Sequence, residues 1–108
     1  MSFIAVYITH ESREAAQKVV DHLLHRKCIA CANVFPITSA YWWQGNISND
    51  EEWVSIVKTT SENWAWLERE VSSIHPYDVP CIMKMEVEAN QAYEAWIHNE
   101  VQKEHPIP

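Results

Sequence analysis

Apolar and polar residues alternate along this chain with spacings that distinguish strands from helices. The stretch "FIAVYIT" at 3–9 is a continuous β-branched and aromatic run, which predicts a strand buried on both faces. Residues 10–27 follow, with Ala16, Val20 and Leu24 four positions apart. That spacing forms an apolar stripe along one side of a helix, so the chain is expected to open with a strand and a helix.

Two long apolar-polar stretches, 28–43 and 47–60, predict a pair of strands joined by a tight turn. Gly45, the only glycine in the chain, lies between them in "QGN". Glycine tolerates positive φ, which a two-residue hairpin turn requires. Pro36 has no N–H to donate to a ladder, so it indicates either an edge position or a bulge.

Three further segments complete the predicted order: a helix at 61–75, a strand at 80–88 and a short helix at 90–101. The order β-α-β-β-α-β with an extra C-terminal helix predicts an α+β, ferredoxin-like fold. Four antiparallel strands then carry both long helices on one face and leave the other face open. Residues placed to cap the helices are Thr9 or Ser12, Thr60 or Ser61, and Asn90. Residues expected to face inward on the last helix are Tyr93, Trp96, Ile97 and Val101.

Two adjacent tryptophans precede the glycine turn. Side chains alternate faces along a strand, so Trp42 and Trp43 must point to opposite sides of the sheet. One is expected to pack under the helices, and the other to lie on the open face or beyond the sheet. An open face with such residues is too apolar for a monomer, which predicts a homo-oligomer. The hairpin 30–58 also looks longer than the outer strands, so it can reach another copy.

Composition narrows the possible functions. The chain has 108 residues, consistent with one domain over 1–108, and a formal charge of −7. The acidic balance argues against binding of a nucleic-acid backbone, and no window approaches the roughly 18 apolar residues of a membrane span. The start "MSFIAVYITH" does not resemble a signal peptide. With three cysteines and no dense disulfide framework, a cytoplasmic location is expected.

The cysteines give one possible metal motif. His25, Cys28 and Cys31 stand in an H-x2-C-x2-C arrangement, and thiolates and imidazoles bind zinc and copper. The competing interpretation is that Cys31 packs as a small buried apolar residue and that Cys28 ends a helix.

The segment "IHPYDVPC" at 74–81 holds the densest group of chemically capable residues. Two prolines stiffen it and hold His75, Tyr77 and Asp78 in place. It is either a functional loop or a stiff connection in which His75 acts as a cap. Lys58 is similarly open to two interpretations: it receives an anion or a carboxylate from a neighbouring subunit, or it serves solubility.

Motifs of the common enzyme classes are absent from the sequence. It contains no nucleophile elbow, no H-E-x-x-H and, with one glycine, no phosphate-binding glycine loop. The chain is therefore expected not to be an enzyme.

Several blocks together resemble the CutA divalent-cation-tolerance proteins. They are "CIACANVFP", "SAYWWQGNI", "VKT", "HPYDVP" and "YEAW", in the order found in that family and spanning about Thr9 to Val101. The resemblance implies a ferredoxin-like homotrimer in the cytoplasm, linked to tolerance of copper and other divalent ions. It also implies copper binding and no established catalytic reaction.

The resemblance assigns site residues one by one. His75 and Cys31 match the family's histidine and cysteine, and they are the expected ligands of copper or another divalent ion. Some relatives have a cysteine and a second histidine where this chain has Ile8 and Ile74. His10 is close enough to replace that lost cysteine as a third ligand.

The same resemblance places Trp43, Lys58, Tyr77 and Pro80 in a cleft between subunits. Two alternatives to metal tolerance stay open. One is a trimer that senses a small molecule or anion in that cleft, as PII signalling proteins do. The other is a non-catalytic interaction scaffold.

Overall fold

A computed structural model describes residues 2–103 as a four-stranded antiparallel sheet with three α-helices. The sheet order is β2-β3-β1-β4. This confirms the predicted α+β, ferredoxin-like order with an extra C-terminal helix. The elements are β1 (Phe3–His10), α1 (Arg13–His25), β2 (Cys31–Trp43), β3 (Asn46–Thr59), a 3-10 turn (Ser61–Asn63), α2 (Trp64–Ile74), β4 (Ile82–Val87) and α3 (Gln91–Glu100).

One change in element bounds concerns the junction of β1 and α1. The predicted helical segment 10–27 is too long at its start, because His10 pairs with Trp53 as the last residue of β1. The helix begins at Arg13 because the extended Ser12 accepts a hydrogen bond from the backbone N–H of Ala15 at 3.0 Å. Of the two predicted caps, Ser12 is therefore the one used.

The β2–β3 hairpin closes through a two-residue turn. Gln44 and Gly45 have φ values of 50° and 82°, so both central residues take the left-handed conformation of a type I′ turn. Pairing runs without a bulge from Cys31↔Lys58 to Trp43↔Asn46. Pro36 lies on β2, which is an edge strand, so the edge interpretation is confirmed and the bulge is excluded.

One face of the sheet, hereafter the helix face, forms the core with α1 and α2. Ile4, Val6 and Ile8 point from β1 into this core and are fully buried. Both long helices thus cover the same face, as predicted. Other buried members of the core are Val19, Val20, Leu23, Cys28, Ile29, Val57, Trp66, Leu67 and Val71.

The opposite face, hereafter the open face, is covered in part: Tyr77 contacts Glu52 next to the fully buried Val54, and α3 covers the end near Phe3. There Tyr93 of α3 packs edge-on against Phe3, with ring centroids 5.9 Å apart. Met83 and Met85, paired with Tyr7 and Ala5 of β1, stay exposed. The prediction that Trp96 faces inward on α3 is wrong, because its side chain is exposed.

The two tryptophans lie where the hairpin has left the rest of the sheet. β1 pairs with β3 only as far as Trp53, so the distal hairpin (residues 37–43 and 46–52) pairs only with itself. Trp42 is 73 % exposed and Trp43 60 %. The prediction that one of them packs under the helices is wrong, because both lie beyond the reach of α1 and α2.

Two adjacent leucines of α1 test this assignment of the core. Leu23 is fully buried, whereas Leu24 is 39 % exposed. We expect Leu23→Ala to lower the free energy of unfolding by about 2–5 kcal/mol, because it leaves a cavity in the core. Leu24→Ala is the matched control and should cost less than about 1 kcal/mol. Urea unfolding of both variants measures the difference, and equal losses would contradict the core described above.

Candidate functional site

Two histidines meet at the end of β1. His10 continues the inward phase of Ile4, Val6 and Ile8 and is 1 % exposed, and His75 follows α2 and is 8 % exposed. Their rings stack with centroids 5.5 Å apart and planes 26° from parallel. His75 takes an extended conformation (φ −80°, ψ 133°), as expected for a residue before proline. The structure thus joins two of the three predicted metal ligands.

Both ring nitrogens of His75 are hydrogen-bonded. Nε2 lies 2.7 Å from the backbone oxygen of Thr9, and Nδ1 lies 3.2 Å from the backbone nitrogen of Tyr77. A carbonyl only accepts and an N–H only donates, so this pattern requires a neutral ring with its proton on Nε2. His75 can bind a metal only after giving up one of these bonds.

His10 uses one nitrogen and leaves the other unused. Nε2 is 2.8 Å from the hydroxyl of Ser55, while Nδ1 is buried without a hydrogen-bond partner among residues 2–103. Burial, and secondarily the nearby His75, lower the pKa of His10 from 6.5 to about 4. The ring is therefore neutral near pH 7, which is the form that binds metal ions.

The loop after His75 is also tied to β3. The Tyr77 hydroxyl donates to a carboxylate oxygen of Glu52 at 2.9 Å, and its ring packs edge-on against His75. Burial and this hydrogen bond raise the pKa of Tyr77 above its usual value. Together with the bond to Thr9, these contacts fix His75 between β1 and the hairpin.

A cavity of about 350 Å³ lies beside the histidine pair, between the start of α1 and the His75–Pro76 segment. Its volume is in the range of small-molecule sites. Its charged lining consists of Glu11, Glu14 and Lys18, and Val19 and Ile74 add apolar surface.

Cys31, the third predicted ligand, lies elsewhere. It pairs with Lys58 on the open face, whereas His10 pairs with Trp53 on the helix face. Five residues of β3 separate these pairs, about 17 Å at the rise of a strand. The Cys31 sulfur lies 3.3 Å from the hydroxyl of Tyr93, and this hydrogen bond contributes most to raising the Tyr93 pKa to about 12. Cys31 does not join the histidine pair within one chain.

The H-x2-C-x2-C motif does not assemble either. Cys28 is fully buried in the core, and burial raises its thiol pKa to about 12, so it stays protonated. The exposed His25 is hydrogen-bonded through Nδ1 to the backbone oxygen of Asp21. Between residues 2 and 103, no group of three or more His, Cys, Asp or Glu side chains could hold a metal ion.

The four predicted cleft residues are dispersed in one chain. Trp43 lies at the hairpin tip and Lys58 near the other end of β3, and Tyr77 and Pro80 lie in the loop before β4. Trp43 pairs with Asn46, twelve residues from Lys58, or about 40 Å along the strand. These residues cannot line one cleft within a chain, so the cleft between subunits stays a prediction.

Comparison with known proteins places this chain and its fold in a family. The profile of the CutA1 divalent ion tolerance protein matches residues 4–100. The chain belongs to the CutA1 family. The divalent-cation tolerance protein CutA of Pyrococcus horikoshii is 41 % identical over 101 residues, which cover 93 % of this chain and 99 % of the relative. The crystal structure of that CutA1 superposes with a TM-score of 0.89, covering 93 % of this chain and 99 % of the other at 40 % identity.

The relatives correct the expected location. A CutA structure from Archaeoglobus fulgidus, described as periplasmic, is 39 % identical, covers 94 % of this chain and 100 % of its own, and has a TM-score of 0.89. A curated Oryza sativa relative, 34 % identical over 89 % of this chain and 55 % of its own length, is called chloroplastic. The prediction of a cytoplasmic location is therefore wrong. No helix within residues 2–103 has the length and apolar character to cross a bilayer.

Two partners of the site, Ser55 and Glu52, were not predicted from the sequence. Ser55 follows the same alternation as Val57, which points into the core. A serine in an inward position requires a polar partner, and His10 lies in the inward phase of the neighbouring strand. Because Ser55 and His10 both point inward from neighbouring strands, their contact could have been predicted from the sequence. Glu52 carried no comparable signal, because its partner Tyr77 lies in a loop.

The depressed pKa of His10 predicts an acid-sensitive fold. In the unfolded chain His10 takes up a proton near pH 6.5, whereas in the folded chain it does so only near pH 4. The contribution of His10 to the free energy of unfolding is fully present above pH 6.5. It is lost as the pH falls toward 4, by about 3 kcal/mol in total. Urea unfolding of the metal-free protein between pH 4 and 7.5 measures this loss.

The His10→Asn variant should lose this part of the pH dependence, because asparagine does not titrate. His25→Asn replaces an exposed histidine of α1 and is the control that should keep it. Equal pH profiles for wild type and His10→Asn would contradict the assignment.

Proposed function

We propose that this chain is a homotrimeric divalent-cation tolerance protein that binds a divalent metal ion, copper foremost, and catalyses no reaction. Membership of the CutA1 family supports tolerance of divalent ions. The observation that carries metal binding is the buried pair of neutral imidazoles, His10 and His75. Neutral imidazole is a good ligand for copper and zinc.

The donor atoms of one chain fit this ion only in part. His10 has a free nitrogen, Nδ1, whereas His75 must release Thr9 or Tyr77 before it can coordinate. The thiol of Cys31 is too distant and can contribute only from another copy. We therefore propose His10 and His75 as the ligands within a chain, with further positions filled by water or by a neighbouring copy.

The trimer is supported by the apolar surface of the single chain. The distal hairpin and the open face leave large side chains in water, and such continuous patches mark interfaces. Copies arranged in a ring would cover the open face of each with the hairpin of another. The exposed side chains concerned are Tyr41, Trp42, Trp43, Ile47, Met83 and Met85.

The cavity beside the histidines favours a second candidate function, the sensing of a small molecule. Its volume of about 350 Å³ and its mixed acidic, basic and apolar lining would accept a small zwitterion or amine. Unlike metal binding, this function requires no change in the hydrogen bonds of His75.

Calorimetric titration separates these candidates. We expect Cu(II) to bind the wild type with micromolar affinity, and His10→Ala and His75→Ala each to weaken binding at least about tenfold, because each removes an imidazole donor. His25→Ala, at an exposed position, is the control that should leave the affinity unchanged. Absence of Cu(II) and Zn(II) binding to the wild type would refute the metal function. Heat evolved only with amino acids or amines would favour the second candidate.

Sedimentation of a hairpin variant tests the trimer. Trp43→Ala removes a large apolar side chain that is 60 % exposed in the single chain, so we expect its main effect on assembly and not on folding of the subunit. Its association should be weakened at least about tenfold at micromolar concentration. Leu24→Ala, at an exposed position of α1 on the other side of the sheet, is the control. A wild type that sediments as a folded 12.6 kDa particle would refute the trimer.

A further inference from the structure

The charged residues of the strands are segregated along the open face. Of the two basic strand residues, Lys58 lies on the open face, whereas Lys84 lies on the helix face with its ammonium 5.4 Å from the centre of the Trp64 ring. Among the acidic strand residues, Asp50 and Glu52 lie on the open face. The open face thus has a positive end at Lys58 and a negative end on the hairpin.

These opposite charges cannot pair within one chain. Glu52 and Asp50 lie six and eight residues from Lys58 on the same straight strand, about 20 and 27 Å away. Each carboxylate accepts a hydrogen bond from a neutral tyrosine hydroxyl, and Lys58 donates to the amide oxygen of Asn33. Within residues 2–103, none of the three charges has an oppositely charged partner.

The acidic end is also the part of the chain that reaches outward. Beyond Trp53 the distal hairpin is a two-stranded ribbon seven residues long, about 23 Å, with no third strand beside it. An isolated two-stranded ribbon is only marginally stable in water. This ribbon therefore requires a surface to lie on, and it carries Asp50 and Glu52 to that surface.

We propose that Asp50 and Glu52 on the hairpin of one copy bind Lys58 on the open face of the next copy. The proposal rests on the trimer proposed above and adds the charge contact that sets its register. A second copy is the occupant because one face carries both charges, separated by a length that only another molecule can bridge. The contact is head-to-tail, since its two ends differ, and such contacts can close into rings.

The part of the open face between the two charged ends is largely apolar, with Ile56 and Val54 on β3 and Tyr7 and Met83 beside Ile56. In the proposed contact, the ribbon of one copy meets Lys58 of the other beside a strip that carries Tyr7, Met83 and Met85. The apolar strip supplies contact area, and the ions at its end select one position along it. Electrostatic pairs at interfaces mainly contribute such specificity and register.

Charge reversal followed by sedimentation velocity tests the proposal. We expect Lys58→Glu to weaken association at least about tenfold, because it places three like charges together. The double variant Asp50→Lys, Glu52→Lys should weaken it similarly. Combining all three substitutions restores opposite charges and should recover most of the wild-type affinity.

One control variant and one charge-neutral variant make the result specific. Lys103→Glu reverses a surface lysine that pairs with Glu62 at 3.4 Å outside the sheet, and it should leave association unchanged. Lys58→Gln removes the charge without reversing it, and it should weaken association and reduce its dependence on salt. Far-UV circular dichroism of every variant establishes whether the subunit is folded. If a charge-reversed variant does not fold, Lys58→Gln replaces it as the test of the contact.

The outcomes separate this proposal from the trimer. If the wild type is monomeric, both fail. If the wild type assembles while Lys58→Glu and Lys58→Gln assemble equally well, the trimer stands and the charge contact is refuted. A triple variant that is folded but no better assembled than its parents would also refute it.

Discussion

The alternation of side chains along β3 determines which residues enter the core and which form the exposed surface of the sheet. Trp53, Ser55, Val57 and Thr59 point to the helix face, and the even-numbered residues from Asp50 to Lys58 point to the open face. Within residues 2–103 the chain supplies two helices for the first face, and for the second it supplies α3 at one end and the Tyr77 loop beside Val54. A single strand therefore serves both the core and an uncovered surface, and a shift of one residue would exchange them.

The histidine pair follows from the same alternation. His10 is buried because it continues the inward phase of β1, and burial keeps its ring neutral. His75 reaches it because Pro76 stops α2 and turns the chain toward the end of β1. The hydrogen bond to Thr9 then fixes the tautomer of His75. The histidine pair is thus also a structural junction between β1 and the segment after α2. Both nitrogens of His75 are used in that junction, whereas Nδ1 of His10 is left without a partner among the described residues.

The sequence was sufficient to predict the order of elements, because strands and helices differ in apolar period. It was insufficient at His10, since a polar residue after an apolar run reads equally well as the start of a helix. The contact between His10 and His75 spans 65 residues, and local periodicity carries no information on such distances. The tryptophans were misplaced for a related reason. Alternation predicted their opposite faces correctly, but it could not show that β1 ends before reaching them.

The difference in length between β1 and β3 determines where the hairpin leaves the sheet. β1 has eight residues and β3 has fourteen, so six or seven residues of the hairpin must leave the sheet. A stable monomer would shorten such a ribbon or make both of its faces polar. This chain instead places tryptophans at its tip and two of its carboxylates, Asp50 and Glu52, along the open face, while Lys58 lies on the body of the sheet. In the assembly proposed above, the ribbon is a binding element and its complementary surface lies on the same strand.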